Sequence, residues 1–296
     1  MNPPVKRVAG WMWAALRASF EAVRRFNAKG GWVLSSHVAM SMMLALFPFV
    51  LFVVALAGFV SREFALAGFL SDQEAMDDVV ELVFGAWPDA IEAPIVAEVT
   101  AVIEANNSRL MTVGGVLVLY FASNGVDAVR EAMTRAYHDT ETRPFWRARL
   151  LCVLFVLVGA VALLGAVAFA LAVPVYTRLV SAATPWPFLQ WIFDEGIGQA
   201  VILSMPVLAV LAAHVWLPGR RHRLRRILPG VVLTVVLWMI VGWGFSFYVR
   251  SFGSYAATYA GLAGAMAALI FLYLISAILI VGAEFNGALI DLARDD

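Results

Sequence analysis

The chain has 296 residues, 62% of them hydrophobic and 14% charged, with a mean hydropathy of +0.84. Soluble globular chains run at about 45–50% apolar and about 25% charged, so a water-soluble enzyme with a polar shell is excluded. Twenty-one basic residues balance twenty-one acidic ones, which points to no polyanionic partner, and the single cysteine excludes a disulfide framework or a Cys-based zinc cluster.

Taken in chain order, the first element is Trp11–Phe26, which mixes aromatics with Arg17, Arg24 and Arg25. It reads as an amphipathic helix within an interfacial segment, residues 1–37. Six stretches then lack Asp, Glu, Lys and Arg for long enough to cross a bilayer, which needs about 20 residues. They are Val38–Val60, Leu110–Val126, Leu151–Thr177, Ile197–Leu217, Leu228–Val249 and Ala260–Ala283. The first lies too far into the chain for a cleavable signal and is kept as a span. Because the backbone must satisfy its own hydrogen bonds in lipid, runs of this length mean helices rather than a β-barrel. The expected fold is all-α, a polytopic bundle of six transmembrane helices.

Between the first two spans, Ser61–Arg109 carries ten acidic and two basic residues. Ser71 and Glu74 form a capping box, and Met76, Val79, Val80, Val83, Phe84 and Trp87 then share one helical face. Trp87-Pro88 ends that helix and Pro94 opens another, so this insertion is expected to form a small helical cap. Its acidic face reads as a solvated surface rather than a cation site.

Seventeen of the basic residues fall before the first span, between spans two and three, between spans four and five, or after the sixth, against four in the intervening loops. The positive-inside rule then places both termini in the cytoplasm and the cap outside it. Four scattered histidines, with no HExxH, P-loop or nucleophile elbow, offer no reaction geometry. No enzyme activity, cofactor, metal or nucleic-acid partner is expected.

Polar or helix-breaking residues inside an apolar layer cost free energy and are functional candidates by default. Pro48 sits ten residues into the first span, where a kink would expose backbone as in transporters. Pro174 lies near a span end and Pro206 inside another, where packing suffices as an explanation. Asn124 closes span two, and Glu284 and Asn286 end span six within Gly282-Ala283-Glu284-Phe285-Asn286. Pro48, Asn124, Tyr137, Arg143, Glu284 and Asn286 are expected to line one connected substrate path or inter-helix polar network at the cytoplasmic half of the bundle. Arg143, Trp146 and Arg147 are candidates for contact with lipid headgroups, against the plainer reading of topology-setting charge with an interfacial anchor. Ala162, Ala166 and Ala170, like Ala260, Gly264 and Ala268, are spaced for close helix packing.

Three segments, His37–Gly58, Ser123–Leu150 and Tyr255–Leu289, together resemble the YihY/BrkB family of bacterial inner-membrane proteins. Leu46-Phe47-Pro48, the run from Asn124 through Tyr137 to Arg143-Pro144-Phe145-Trp146, and Tyr259-Ala260-Gly261 with the Gly282–Asn286 motif carry the likeness. The resemblance implies a six-span inner-membrane protein and supplies no agreed catalytic residues. Members were once labelled ribonuclease BN, a label generally regarded as mistaken. The expectation is a transporter or handler of envelope lipids or other amphiphiles, with membrane lipids as partners. A non-transporting envelope-assembly or virulence-associated scaffold, working as a homo-oligomer or with envelope proteins, is the alternative. A ribonuclease is a distant third.

Overall fold

The computed structural model describes residues 3–63, 108–183, 198–251 and 262–295. Every regular element among them is helical, seven in all: α1 (Pro3–Ala28), α2 (Gly31–Glu63), α3 (Ser108–Ala136), α4 (Phe145–Ala183), α5 (Gly198–Trp216), α6 (Leu224–Ser251) and α7 (Leu262–Asp295). The two cap helices, residues 260–261 at the start of the sixth apolar run, and Ala257 lie outside the described residues.

The described residues of the six apolar runs fall in six successive helices, α2 to α7, with Leu217 just past the end of α5. Among the described residues, four stretches are long and apolar enough to cross a membrane, Gly31–Ala57, Phe145–Phe169, Leu224–Tyr248 and Gly264–Leu292, with Ser204–Trp216 a shorter apolar helix. Helices α2, α3, α4 and α6 outrun their apolar runs, and α7 continues past the end of its own. Hydrophobicity marks only the lipid-facing length, whereas i→i−4 bonding continues through the charged turns Asp127–Arg135 of α3 and Glu284–Asp295 of α7. Helix α2 runs from Gly31 to Glu63 with Pro48 inside it.

What ends the helices positions the polar chemistry. Gly30 joins α1 to α2 at φ +67°, a left-handed conformation that glycine adopts without a Cβ penalty. His138 ends α3 at φ 57°, with the Asp139 N–H closing on the Thr134 carbonyl at 3.0 Å. The turns after α1, α3 and α5 therefore gather at one end of the bundle.

At the centre, α2, α3 and α7 pack on one another, α6 lies against α7, α4 against α3, and α5 against α6. The core runs through Val38, Ala132, Met133, Ala136, Val210, Ile227, Ile280 and Ala283. On α4 the row Ala148, Cys152, Val156, Ala160 is buried, whereas Ala162 of the expected small-residue stripe is exposed and Ala166 buried. Helix α1 docks Ala18 and Ala22 on Phe285 and Ala288 of α7. Its other face leaves Trp13, Leu16, Phe20 and Val23 exposed. Their spacing of three, four and three residues forms one apolar stripe, the amphipathic character read from the sequence.

Candidate functional site

Three polar clusters sit at the charged end of the bundle, each built where a helix end or a close crossing leaves backbone groups to satisfy. The first is centred on Asn286. Its Nδ2 donates to Tyr137 Oη and to the Ile227 carbonyl, both at 2.8 Å, and its Oδ1 accepts the Gly230 N–H at 2.7 Å. Both N–H donors and the oxygen of a buried carboxamide are thus engaged across α3, α6 and α7. The crossing needs glycine: a Cβ at Gly230 would lie 2.2 Å from the Gly282 carbonyl oxygen, and one at Gly282 would lie 2.0 Å from Thr234 Oγ1.

The ring of Tyr137 stacks on His222 with centroids 4.6 Å apart. Burial pushes the Tyr137 hydroxyl well above its ordinary range, so it stays protonated. His222 Nε2 lies 2.9 Å from Asp139 Oδ2, which also accepts the Arg220 N–H at 3.2 Å. This ties the turn after α3 to the turn after α5.

The second cluster surrounds Glu284, a buried carboxylate whose Oε1 accepts a hydrogen bond from Lys29 Nζ at 2.6 Å. Lys29 also donates to the Arg135 carbonyl at 3.3 Å. Among the described residues Glu284 Oε2 has no hydrogen-bond partner although it is buried. Desolvation lowers the Lys29 pKa from its usual value, against the opposing pull of the Glu284 carboxylate. One and two turns toward the outer end, Arg25 bonds Asp291 at 2.8 Å and Glu21 at 2.8 Å. The guanidinia of Arg24 and Arg25 hold the Glu21 carboxyl down at about 2.

The third cluster serves helix ends. Arg143 donates to the carbonyls of Trp216 (3.1 Å), Leu217 (2.8 Å) and Pro218 (3.0 Å), the unsatisfied acceptors where α5 stops, and pairs with Glu141 at 2.8 Å. Arg143 and Arg130 in turn keep the Glu141 carboxyl below its ordinary value. Arg130 pairs with both Asp127 and Glu141. Asn124 is exposed and accepts from Arg149 at 2.6 Å, and Arg149 also covers the Tyr120 ring at 3.8 Å.

The six path residues therefore separate. Tyr137 and Asn286 touch. Glu284 faces α1 instead, because two residues on a helix are about 200° apart at 3.6 residues per turn. Arg143 points to the end of α5, Asn124 to α4, and Pro48 joins none of these bonds. Trp146 and Arg147 are exposed and adjacent, the guanidinium 4.9 Å from the indole. Sequence reading counted Lys29 only as a topological charge. It assigned no contact to Asp139, His222 or Thr234. The one signal for Lys29 was an isolated lysine just before a span in an arginine-rich chain. Among the described residues, no group of three or more His, Cys, Asp or Glu side chains is placed to hold a metal ion.

A family model described as Virulence factor BrkB matches residues 22–296. The chain belongs to the BrkB family. With its long apolar helices it is a multi-pass membrane protein. It is 26% identical over 281 residues to the ribonuclease-like protein YfkH of Bacillus subtilis, covering 91% of this chain and 94% of that one. A UPF0761 membrane protein of Aeromonas salmonicida is 24% identical over 192 residues, 64% of this chain and 62% of the relative. Another, from Xanthomonas campestris, is 33% identical over 100 residues, 34% of this chain and 23% of the relative, so the chain spans about a quarter of its length. No solved structure matches.

Proposed function

We propose that this BrkB-family chain is a bacterial inner-membrane protein, with both termini cytoplasmic, that transports or handles an envelope lipid or similar amphiphile at the cytoplasmic leaflet. One observation carries the reading. An open groove of about 560 Å³ runs between α1 and the end of α7, walled by Trp13, Leu16, Phe20 and Leu292 and edged by Arg17, Glu21, Arg25 and Asp291. Arg25 bonds both Glu21 and Asp291, which leaves exposed Arg17 as the groove's cation for an anionic headgroup while the apolar wall takes an acyl chain. The sequence's charge asymmetry supports placing this end in the cytoplasm.

A second reading, a non-transporting envelope scaffold, has its own support in the tight interior. The space beside Glu284 is only about 20 Å³, and α6 and α7 meet glycine on glycine. RNA chemistry, raised by the name of the Bacillus relative, is disfavoured because Asp139 and His222, the closest acid–base pair, already bond each other and the Arg220 backbone.

Photoreactive phosphatidylglycerol in reconstituted vesicles tests the groove. Crosslinks are expected to concentrate on Trp13–Phe20 and Leu292, and Phe20→Glu is expected to cut them severalfold without preventing insertion. Equal labelling of the exposed face of α6 around Trp243 would show ordinary lipid contact and overturn the proposal.

A further inference from the structure

The Lys29–Glu284 pair leaves a buried carboxylate only half satisfied. Glu284 has a side chain only 2% exposed, one oxygen on the Lys29 ammonium and the other buried without a partner among the described residues. A cavity of about 20 Å³ touches it, lined by Phe26, Lys29, Gly31, Leu34, Arg135, Ala136 and Ile280. A space of that size holds one water molecule. An unsatisfied carboxylate oxygen in such surroundings is costly, and a proton on it is the smallest ligand that relieves the cost.

We propose that Glu284 is a proton-binding site, with Oε1 held by Lys29 and Oε2 taking up and releasing one proton through the adjoining cavity. In the unloaded state a carboxylate faces an ammonium. In the loaded state a neutral carboxyl faces the same ammonium, one proton having come from solvent at that end of the bundle.

The electrostatic surroundings are known from every packed element. From α1 come Arg25, bonded to Glu21 and Asp291, and Lys29 itself follows at the turn. Helix α7 adds Asp291, whose Oδ2 lies 3.9 Å from His138 Nδ1 in the turn after α3. Helix α3 offers Arg135, whose guanidinium is engaged with Glu131 and whose carbonyl accepts from Lys29. Helix α2 contributes Gly31 and Leu34 to the cavity wall. Other carboxylates nearby have arginine or histidine partners, and Glu284 relies on a lysine whose own charge is disfavoured by burial.

This inference stands apart from the groove reading and is tested without lipid substrate. Full-length protein in detergent is treated with dicyclohexylcarbodiimide, an apolar reagent that modifies protonated carboxyls, and adducts are mapped by peptide mass spectrometry. Labelling of Glu284 is expected in mildly acidic buffer and should fall roughly tenfold per pH unit above its midpoint, as a single titrating group requires. Lys29→Met removes the cation that favours the carboxylate, so labelling should persist to higher pH. Glu284→Gln should abolish that adduct alone. Infrared absorption of the protonated carboxyl group supplies a readout independent of reagent access. Wild-type protein should lose one carboxyl's absorption as pH rises, and Glu284→Gln should not. If either variant fails to fold, the wild-type pH profiles still decide. A Glu284 that neither labels nor shows titrating absorption between about pH 5 and pH 9, the range over which shifted carboxyls titrate, is a permanent structural ion pair, and the proposal falls.

Discussion

Replacing Asn286 by alanine is the sharpest test of how the charged end is held. The carboxamide makes three hydrogen bonds of 2.7–2.8 Å to three separate groups: the Tyr137 hydroxyl, the Ile227 carbonyl and the Gly230 N–H. Interhelical hydrogen bonds in membrane bundles average about 0.6 kcal/mol and reach about 1.7. Three of them set a range of about 2–5 kcal/mol. The upper half is expected, because Asn286 is fully buried and its removal takes two donors and one acceptor away from buried groups at once. Tyr137→Phe removes only one acceptor and should cost about 1 kcal/mol. In the double variant the losses should be less than additive, by about the strength of the shared bond. The measurement is reversible unfolding in mixed detergent micelles, with helicity as the signal. A loss below about 0.5 kcal/mol for Asn286→Ala, within the range of an inert surface change, would mean that the three bonds do not hold the helices together. Strict additivity would mean that Tyr137 and Asn286 do not interact.

Gly230→Ala should destabilise by about 1–3 kcal/mol or more, since its new carbon meets the Gly282 carbonyl at 2.2 Å and the helices must part. Gly242→Ala on the same helix meets nothing within 4 Å and should stabilise by about 0.5–1 kcal/mol. Thermal melts of the two proteins in the same detergent check the contrast, and equal shifts would refute the close crossing. Arg143→Gln should cost about 1.5–3 kcal/mol and speed hydrogen exchange at the end of α5, because the carbonyl of Trp216 and those of Leu217 and Pro218 just beyond it lose a charged donor. Arg143→Lys should recover little, as a single ammonium lacks the guanidinium fork. Full recovery by lysine would show that charge, and not capping geometry, is what matters.

The membrane-embedded architecture was legible in the sequence because one coarse quantity, hydrophobicity over about 20 residues, decides it. Helix ends were less so. Helix α3 runs ten residues past the last apolar position of its span, through Asp127, Arg130 and Glu131, where charge hides the helix from a hydropathy reading although side chains three and four apart support it. Asn286 and Glu284 were identifiable as polar groups at the edge of lipid, but their partners were not. Tyr137 is 149 residues from Asn286 and Lys29 is 255 from Glu284, and only tertiary packing relates them. Arg143 reads in the sequence, with Trp146 and Arg147, as a candidate headgroup contact, and nothing local marks the carbonyls it meets. The unsatisfied carbonyls at the end of α5, which claim it here, are set by where that helix stops.

Rigidity and mobility divide along α7. On one side Asn286 and Gly282 lock it to α6 through bonds and contacts that leave no room for sliding. On the other, α1 is held by small residues and by ion pairs, Lys29 on Glu284 and Arg25 on Asp291. The Arg25–Asp291 pair is partly exposed, and such pairs contribute at most about 1 kcal/mol each. The glycine hinge at Gly30 adds freedom between α1 and α2. Any working motion at this end is therefore cheapest as a tilt of α1 away from α7. That tilt would open the groove walled by Trp13, Leu16, Phe20 and Leu292 and at the same time separate Lys29 from Glu284. Groove and buried carboxylate thus share one moving part, which is the physical basis on which an amphiphile at the first and a proton at the second would influence each other.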